Sequence, residues 1–184
     1  STAYLFILIG IFNYLLAEFL KLTGFEFYRT FFTPIVWSGY IMLLDGVNHL
    51  FRKRSLIIDD TKNFLWMLPL SIGLWYIFEF YNLFINNWHY INLPENKAIR
   101  YTGYFWSFAT IWPAIFETYI LLGGLKLFEK IRVKPYKLTD RAFRILISLG
   151  TVFEILPIVF PNSYWAPTIW TGFVLLLDLV NYRL

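Results

Sequence analysis

Long apolar runs with few polar interruptions dominate the chain. Six runs are each long enough to cross a bilayer, which takes roughly 20 residues of helix, and little polar sequence lies between them. The pattern therefore predicts an all-α transmembrane protein, a six-helix bundle of three helical hairpins that forms a single integral membrane domain over residues 1–184. The predicted spans cover residues 3–22, 31–51, 64–85, 102–127, 143–160 and 165–184.

Composition agrees with this class. The chain is 58% hydrophobic, 22% aromatic and 15% charged, whereas a soluble domain has about 25% charged residues. It contains no cysteine, which excludes disulfides, thiolate metal sites and cysteine nucleophiles.

The charges predict an orientation. Most of the 16 lysines and arginines lie in the loops at 52–62 and 126–144, which follow the second and fourth spans. By the positive-inside rule these loops are cytoplasmic. We therefore expect a multi-pass protein of the cell inner membrane with both termini in the cytoplasm. The partner expected from this charge pattern is the lipid bilayer rather than nucleic acid, with the basic loop 129–142 as the one soluble contact surface.

One segment occurs twice. "PIVWSGYIMLLDGVNH" (34–49) and "PTIWTGFVLLLDLVNY" (167–182) are identical at eight of sixteen positions without a gap. Such self-similarity indicates an internal duplication. Both copies run from the outer to the inner surface in the predicted topology, so the repeat is predicted to be parallel.

Polar residues recur inside the spans at helical spacing, which places them on one face of each helix. Such residues in a span face the bundle interior or a cavity by default. Three deep tryptophans accompany them, whereas other aromatics suit the membrane interface. The residues predicted to bind a substrate are Trp75, Asn82, Asn86, Trp112 and Trp170.

Three acids carry the catalytic hypothesis: Glu79, Glu117 and Glu154. No lysine or arginine lies well inside a span, so the deeper two, Glu117 and Glu154, are expected to be neutral acids able to donate a proton. The alternative is that interior polar groups only join helices, at about 0.6 kcal/mol per hydrogen bond. That structural role is preferred for two pairs, Asp45 with Asn48 and Asp178 with Asn181.

No metal site is predicted. His49 and His89 fall near opposite membrane faces, and the Glu-x-x-His pairs of carboxylate-bridged di-iron bundles are absent.

The order of "LLD", "RKR", "LPLSIGLWYIFEFYN", "NNWHY" and "IWPAIFET" resembles the lycopene cyclase domain family of carotenoid synthesis. The resemblance covers about residues 33–128. It implies that Glu79 takes the place of the family's first buried acid, and that Pro113 with Glu117 stands for its Pro-x-Glu-Glu motif. Here two additional residues separate the proline from a single glutamate. "FExxN" followed by "NWHY" also resembles an uncharacterised bacterial family of polytopic membrane proteins, which implies no function.

Two functions of different classes follow. The cyclase resemblance implies an acid-catalysed, redox-neutral, cyclase- or hydratase-like modification of an isoprenoid or carotenoid, with no cofactor required. The alternative is a non-catalytic integral subunit of a larger membrane complex that packs against partner helices and binds a carotenoid, quinone or lipid. A proton-coupled transporter is a third hypothesis, disfavoured because no inverted repeat is present.

Overall fold

The computed structural model describes residues 2–127, 130–132, 134 and 137–183. The described chain is helical without a strand, which confirms the all-α class. Four residues of the basic loop, at positions 129, 133, 135 and 136, lie outside the described part. The helices are α1 (Thr2–Leu22), α2 (Glu26–Thr30), α3 (Phe32–Arg52), α4 (Thr61–Ile85), α5 (Lys97–Gly124), α6 (Asp140–Val159) and α7 (Ala166–Arg183), with a 3-10 turn at Ser163–Trp165.

Helix boundaries follow local capping signals. Helix α5 begins earlier than the apolar run suggests because the Asn96 side chain accepts hydrogen bonds from Ala98 N, at 2.9 Å, and Ile99 N. Thr139 caps α6 in the same way through Ala142 N at 3.2 Å. A side-chain oxygen at this position satisfies N–H groups that have no partner inside the helix.

Five of the described helices are long and apolar enough to cross a membrane, namely α1, α4, α5, α6 and α7 with its preceding 3-10 turn. The sequence predicted six. The exception is α3, which is 21 residues long but carries four polar residues in its last two turns, Asp45, Asn48, His49 and Arg52.

The chain forms two compact units. The first comprises Ser1–Trp75 and Asn92–Ile131, and the second comprises Tyr76–Ile91 and Arg132–Leu184. Helix α4 therefore contributes to both units. The single domain inferred from the sequence stays a prediction.

In the first unit, α3 packs against both α1 and α5. Small residues allow the approach of α1, on which Ala3, Gly10 and Ala17 are its buried residues. A Cβ atom on Gly10 would lie 2.6 Å from the carbonyl oxygen of Gly39, closer than real Cβ contacts come. Glycine is thus required where these two helices touch.

Helix α5 meets the other side of α3 through polar contacts. Trp106 Nε1 donates to Ser38 Oγ at 2.9 Å, and the hydroxyls of Tyr40 and Thr118 are 2.8 Å apart. These bonds account for the polar side chains of α3. The helix lies between α1 and α5, which are more apolar, and its polar groups are bonded within the protein.

The second unit contains the other packed helix pair, α6 with α7. Here too glycine lies at the contact, because a Cβ atom on Gly172 would lie 3.2 Å from the carbonyl oxygen of Gly150. The two repeat segments thus share one type of helix contact. In each, the repeat glycine, Gly39 or Gly172, packs against a glycine of the preceding long helix.

Candidate functional site

Glu117, one of the two acids expected to be deep and neutral, is completely buried, and both of its carboxyl oxygens accept hydrogen bonds. Its Oε2 accepts from Asn48 Nδ2 at 2.5 Å, and its Oε1 accepts from the backbone N–H of Leu56 at 2.8 Å. Asn48 Nδ2 also donates to the Glu117 backbone carbonyl at 2.9 Å. The carboxyl group therefore joins α5 to α3 and to the loop that follows α3.

Asp45 lies in the same cluster. It is completely buried, and its carboxylate accepts from the backbone N–H groups of Ile57 and Ile58, the latter at 3.2 Å. Two acids thus bind three consecutive N–H groups of one loop, those of Leu56, Ile57 and Ile58. We call Asp45, Asn48 and Glu117, with the N–H groups of residues 56–58, the first-unit polar cluster.

The cluster continues toward the surface. His49 Nδ1 lies 2.9 Å from Asp59 Oδ1, and Ser55 Oγ donates to Asp59 at 3.1 Å. An open cavity of about 330 Å³ adjoins the cluster, and Arg52, which lines it, donates to the Ile120 carbonyl at 3.4 Å. The cavity is lined by Asn48, Phe51, Arg52, Leu121, Gly123, Gly124, Leu125 and Lys126.

In the second unit, Glu79 and Asn82 hold the turn that follows α4. Glu79 Oε1 accepts from Trp88 Nε1 at 3.1 Å and from the Tyr90 hydroxyl at 2.5 Å. Asn82 Nδ2 donates to the Trp88 carbonyl at 2.7 Å, and its Oδ1 accepts from the N–H groups of Asn87 and Trp88. The polar face at the end of α4 is therefore directed at its own connecting segment.

Asn86 follows the last residue of α4, Ile85. It is exposed, its φ angle is +48°, and its N–H donates to the Asn82 carbonyl at 2.9 Å. Asparagine tolerates this left-handed conformation better than most residues.

Glu154 differs from the other two acids. It is only 9% exposed, and no described residue gives either carboxyl oxygen a hydrogen bond of good geometry. The Tyr81 hydroxyl is close enough to interact with the carboxyl group, but it is not aligned with either oxygen. A Cβ atom on Gly172 would overlap Glu154 Oε1, so the carboxyl group lies directly against the backbone of α7.

A chain of aromatic rings leads from Tyr81 through the second unit. Phe78 stacks on Trp170 with ring centroids 4.2 Å apart and also contacts Phe173 at 5.1 Å. Phe173 in turn meets the ring of Tyr81 edge-on at 6.1 Å. We call Glu154, Tyr81 and these three rings the Glu154 site. It combines an acid that has no well-aligned hydrogen bond to a described residue with π faces of a kind able to stabilise a cation.

The remaining predicted residues are dispersed. Trp75 and Trp112 belong to the first unit, where the Trp75 ring lies 5.9 Å from that of Phe108. Asp178 and Asn181 are exposed on α7. Glu117 belongs to the first unit, and Glu79 and Glu154 to the second. The convergence of the three glutamates on one pocket stays a prediction.

Sequence reasoning missed Ser71, which is completely buried. Its hydroxyl donates to the Phe108 carbonyl and accepts from the Trp112 N–H at 3.1 Å, so it enters the hydrogen-bond ladder of α5. Pro113 follows immediately, and a proline inside a helix was the available signal that a neighbour would supply polar groups there. Tyr81 and the loop N–H groups of residues 56–58 were also missed, and they have no pattern of their own.

Comparison with protein-family models, with curated proteins and with solved structures finds no match for this chain. Its function must be argued from its own geometry.

Proposed function

We propose that the protein is a non-catalytic integral membrane subunit that packs against partner helices and holds an apolar lipid or isoprenoid. The observation that carries this proposal is the saturation of Glu117. A proton donor needs a free path to its substrate, whereas both oxygens of this buried carboxyl group are bonded to Asn48 and Leu56. Glu79 is likewise bonded to its connecting turn.

A groove on the first unit suits the apolar ligand. It has a volume of about 460 Å³ and lies between α1 and α3. Aromatic and aliphatic side chains can hold a hydrocarbon chain of a lipid, quinone or carotenoid without any polar anchor. The groove is lined by Gly10, Tyr14, Val36, Trp37, Tyr40 and Leu43.

The proposal includes six membrane crossings with both termini on the cytoplasmic side of the inner membrane. Helix α3 has 21 residues, so it is about 32 Å long at 1.5 Å per residue, enough for a hydrocarbon core of about 30 Å. Its polar groups at Asp45 and Asn48 are bonded inside the protein, which removes most of the penalty of placing them in a membrane.

Mass spectrometry of lipids extracted with the purified protein tests the binding function. We expect an apolar species to co-purify and to be reduced severalfold by Trp37→Ala, since Trp37 lines the groove. Trp66→Ala is the matched control, because Trp66 is 64% exposed and lies outside this groove. Equal lipid content in both variants would refute binding at the groove.

Size analysis in mild detergent tests the subunit function separately. A subunit is expected to migrate in an assembly that contains at least one other protein, which distinguishes it from an assembly of copies of this chain. A stable monomer that converts an isoprenoid without any partner would overturn the proposal.

The Glu154 site supports a second candidate function, acid-catalysed isoprenoid chemistry. An uncharged Glu154 would add a proton to a C=C bond, and the carbocation would be stabilised by Trp170 and Phe78. Loss of a proton, or addition of water followed by loss of a proton, would complete a cyclisation or hydration without any change in redox state. The unpartnered carboxyl group is the specific observation in its favour.

Expression in a lycopene-accumulating host tests this chemistry. If it occurs, pigment composition changes, and Glu154→Gln abolishes the change while Glu95→Gln, in an exposed loop position, preserves it. Unchanged pigment with the unaltered protein would exclude lycopene as its substrate.

A further inference from the structure

The two copies of the internal repeat differ in what covers them. On α3, three repeat positions face α5 or the loop after α3: Ser38 bonds to Trp106, while Asp45 and Asn48 belong to the first-unit polar cluster. When residues 34–49 are aligned with residues 167–182, the equivalent positions on α7 are Thr171, Asp178 and Asn181. All three are exposed.

The apolar positions of this face show the same contrast. Ile41 is 3% exposed on α3, whereas its equivalent Val174 is 58% exposed on α7. Leu44 is 7% exposed, and its equivalent Leu177 is 58% exposed. The α7 face thus keeps the chemistry of a helix-packing surface, but no described helix of the second unit packs on it. We call Val174, Leu177, Asp178 and Asn181 the α7 face.

Contacts with α6 do not account for the polar residues of this face. Arg183 is bonded to Asp140 at 3.1 Å and lies over the ring of Phe143 at 4.0 Å. These interactions hold the end of α7 against the start of α6. Among the described residues, Asp178 and Asn181 have no hydrogen-bond partner of their own.

Their depth makes this exposure unfavourable. Helix α7 begins at Ala166, and Asp178 lies twelve residues later, about 18 Å along the axis. A helix that begins at one surface of a hydrocarbon core about 30 Å thick therefore places Asp178 inside that core. Polar side chains at such positions are normally bonded to another helix.

We propose that the α7 face is covered by the α7 face of a second copy of this chain. Two copies are inserted with the same orientation, so Asp178 and Asn181 of each lie at the same depth. The carboxamide of Asn181 both donates and accepts, and the carboxyl group of Asp178 accepts. The α7 face therefore contains both the donor and the acceptor, as a self-complementary twofold interface requires.

The first unit shows that this chemistry joins helices. There Asn48, the equivalent of Asn181, donates to the carboxyl group of Glu117 at 2.5 Å. Across the twofold interface, Asn181 of one copy would donate in the same way to Asp178 of the other. Val174 and Leu177 would supply the apolar contact in place of Ile41 and Leu44. The inference is independent of whether the protein binds a lipid or performs chemistry.

The cysteine-free chain allows a direct test by disulfide formation in native membranes. We expect Val174→Cys to form a dimer on mild oxidation, because the two positions meet across the axis. Ile155→Cys is the matched control, since Ile155 is 52% exposed on α6 of the same unit. Equal cross-linking of the two variants, or attachment of Val174→Cys to a different protein, would overturn the proposal.

A second measurement follows the monomer–dimer equilibrium by energy transfer between labelled copies as they are diluted in lipid. Loss of the two symmetry-related bonds in Asn181→Leu should weaken association about 3- to 10-fold, given the strength of hydrogen bonds between membrane helices. Thr151→Val, which alters an exposed polar residue of α6, should leave it unchanged. A protein that is monomeric at every dilution would exclude the interface.

Discussion

Glu117 and Glu154 are both buried acids in long helices, but their hydrogen-bond partners differ. Glu117 has partners for both oxygens, supplied by Asn48 and the Leu56 N–H. Glu154 has none. An acid with matched donors stabilises the fold, whereas an unpaired buried acid requires an explanation in strain or function. Residue type alone does not distinguish the two.

Removal of the Glu117 side chain should destabilise the first unit. Glu117→Ala removes the carboxyl acceptor of the Leu56 N–H and one of the two hydrogen bonds of Asn48 Nδ2, and each buried unsatisfied group costs about 1–3 kcal/mol. Glu117→Gln should cost less, because its carbonyl oxygen can still accept from Leu56. The measurement is the free energy of unfolding in mixed detergent micelles.

Glu95→Ala provides the control, since Glu95 is exposed and should change stability little. A Glu117→Ala variant as stable as this control would show that the first-unit polar cluster does not support the fold.

Asn82 should be essential for the turn after α4, and Asn86 should be replaceable. Asn82→Ala removes three hydrogen bonds to residues 87–88, so we expect faster proteolysis in that turn and lower stability. Asn86→Gly should be tolerated, because Asn86 has a φ angle of +48° and glycine adopts that conformation without strain. Proteolysis of the two variants in detergent compares them directly, and equal sensitivity would contradict the role given to Asn82.

At the scale of elements, two helix pairs pack through the same kind of glycine contact. The pairs α1 with α3 and α6 with α7 each bring two glycines into contact. Close backbone approach strengthens van der Waals packing, which drives helix association in lipid, where burial of apolar surface contributes little. The duplication detected in one helix of each pair thus coincides with a similar glycine contact in both pairs.

Replacing glycine by alanine at two positions should distinguish the effect of helix packing on stability from the effect of helix propensity. A Cβ atom on Gly10 would meet Gly39 O at 2.6 Å and Leu43 N at 2.7 Å, so Gly10→Ala must push α1 from α3 at a cost of about 1–3 kcal/mol. Gly73, inside α4, has nothing within 4 Å of its Cβ position. Gly73→Ala should therefore be neutral or stabilising by up to about 1 kcal/mol.

Thermal unfolding of both variants in the same detergent checks this prediction. A Gly10→Ala protein that melts at or above the temperature of Gly73→Ala would exclude close packing at Gly10.

At the scale of the whole molecule, α3 decides the number of membrane crossings. Five described helices are apolar enough to cross by composition, and an odd number of crossings would place the termini on opposite sides. Helix α3 is less apolar because its polar side chains are bonded to α5 and to the following loop. A hydropathy threshold identifies helices whose side chains mostly face lipid. Helix α3 packs against α1 and α5 instead, so it can cross a membrane with a lower mean hydropathy.

We expect reporters fused to the two termini to be found on the same, cytoplasmic side. Six crossings would place both termini on the same side of the membrane. The basic loops at 52–62 and 126–144 would make that side the cytoplasmic one. The check is the activity of a reporter that works only outside the cytoplasm, compared with one that works only inside it. Termini on opposite sides would show that α3 does not cross.

Much of the fold was predictable because apolar runs of about 20 residues define membrane helices. The start of α5 at Lys97 and of α6 at Asp140 needed the capping residues Asn96 and Thr139, which the apolar pattern does not include. For the site, helical spacing identified Glu79 and Asn82 as one face, but it could not show that this face binds the adjacent turn.

The amino-acid sequence by itself determined the helical class, the six long helices and the duplicated segment, because each depends on residues close together along the chain. Only the tertiary structure decided which acids have partners. Asn48 and Glu117 are 69 positions apart, and no periodicity relates them. The same applies to the repeat: nearly identical chemistry is buried on α3 and exposed on α7, because covering a helix face depends on neighbours that the helix does not encode.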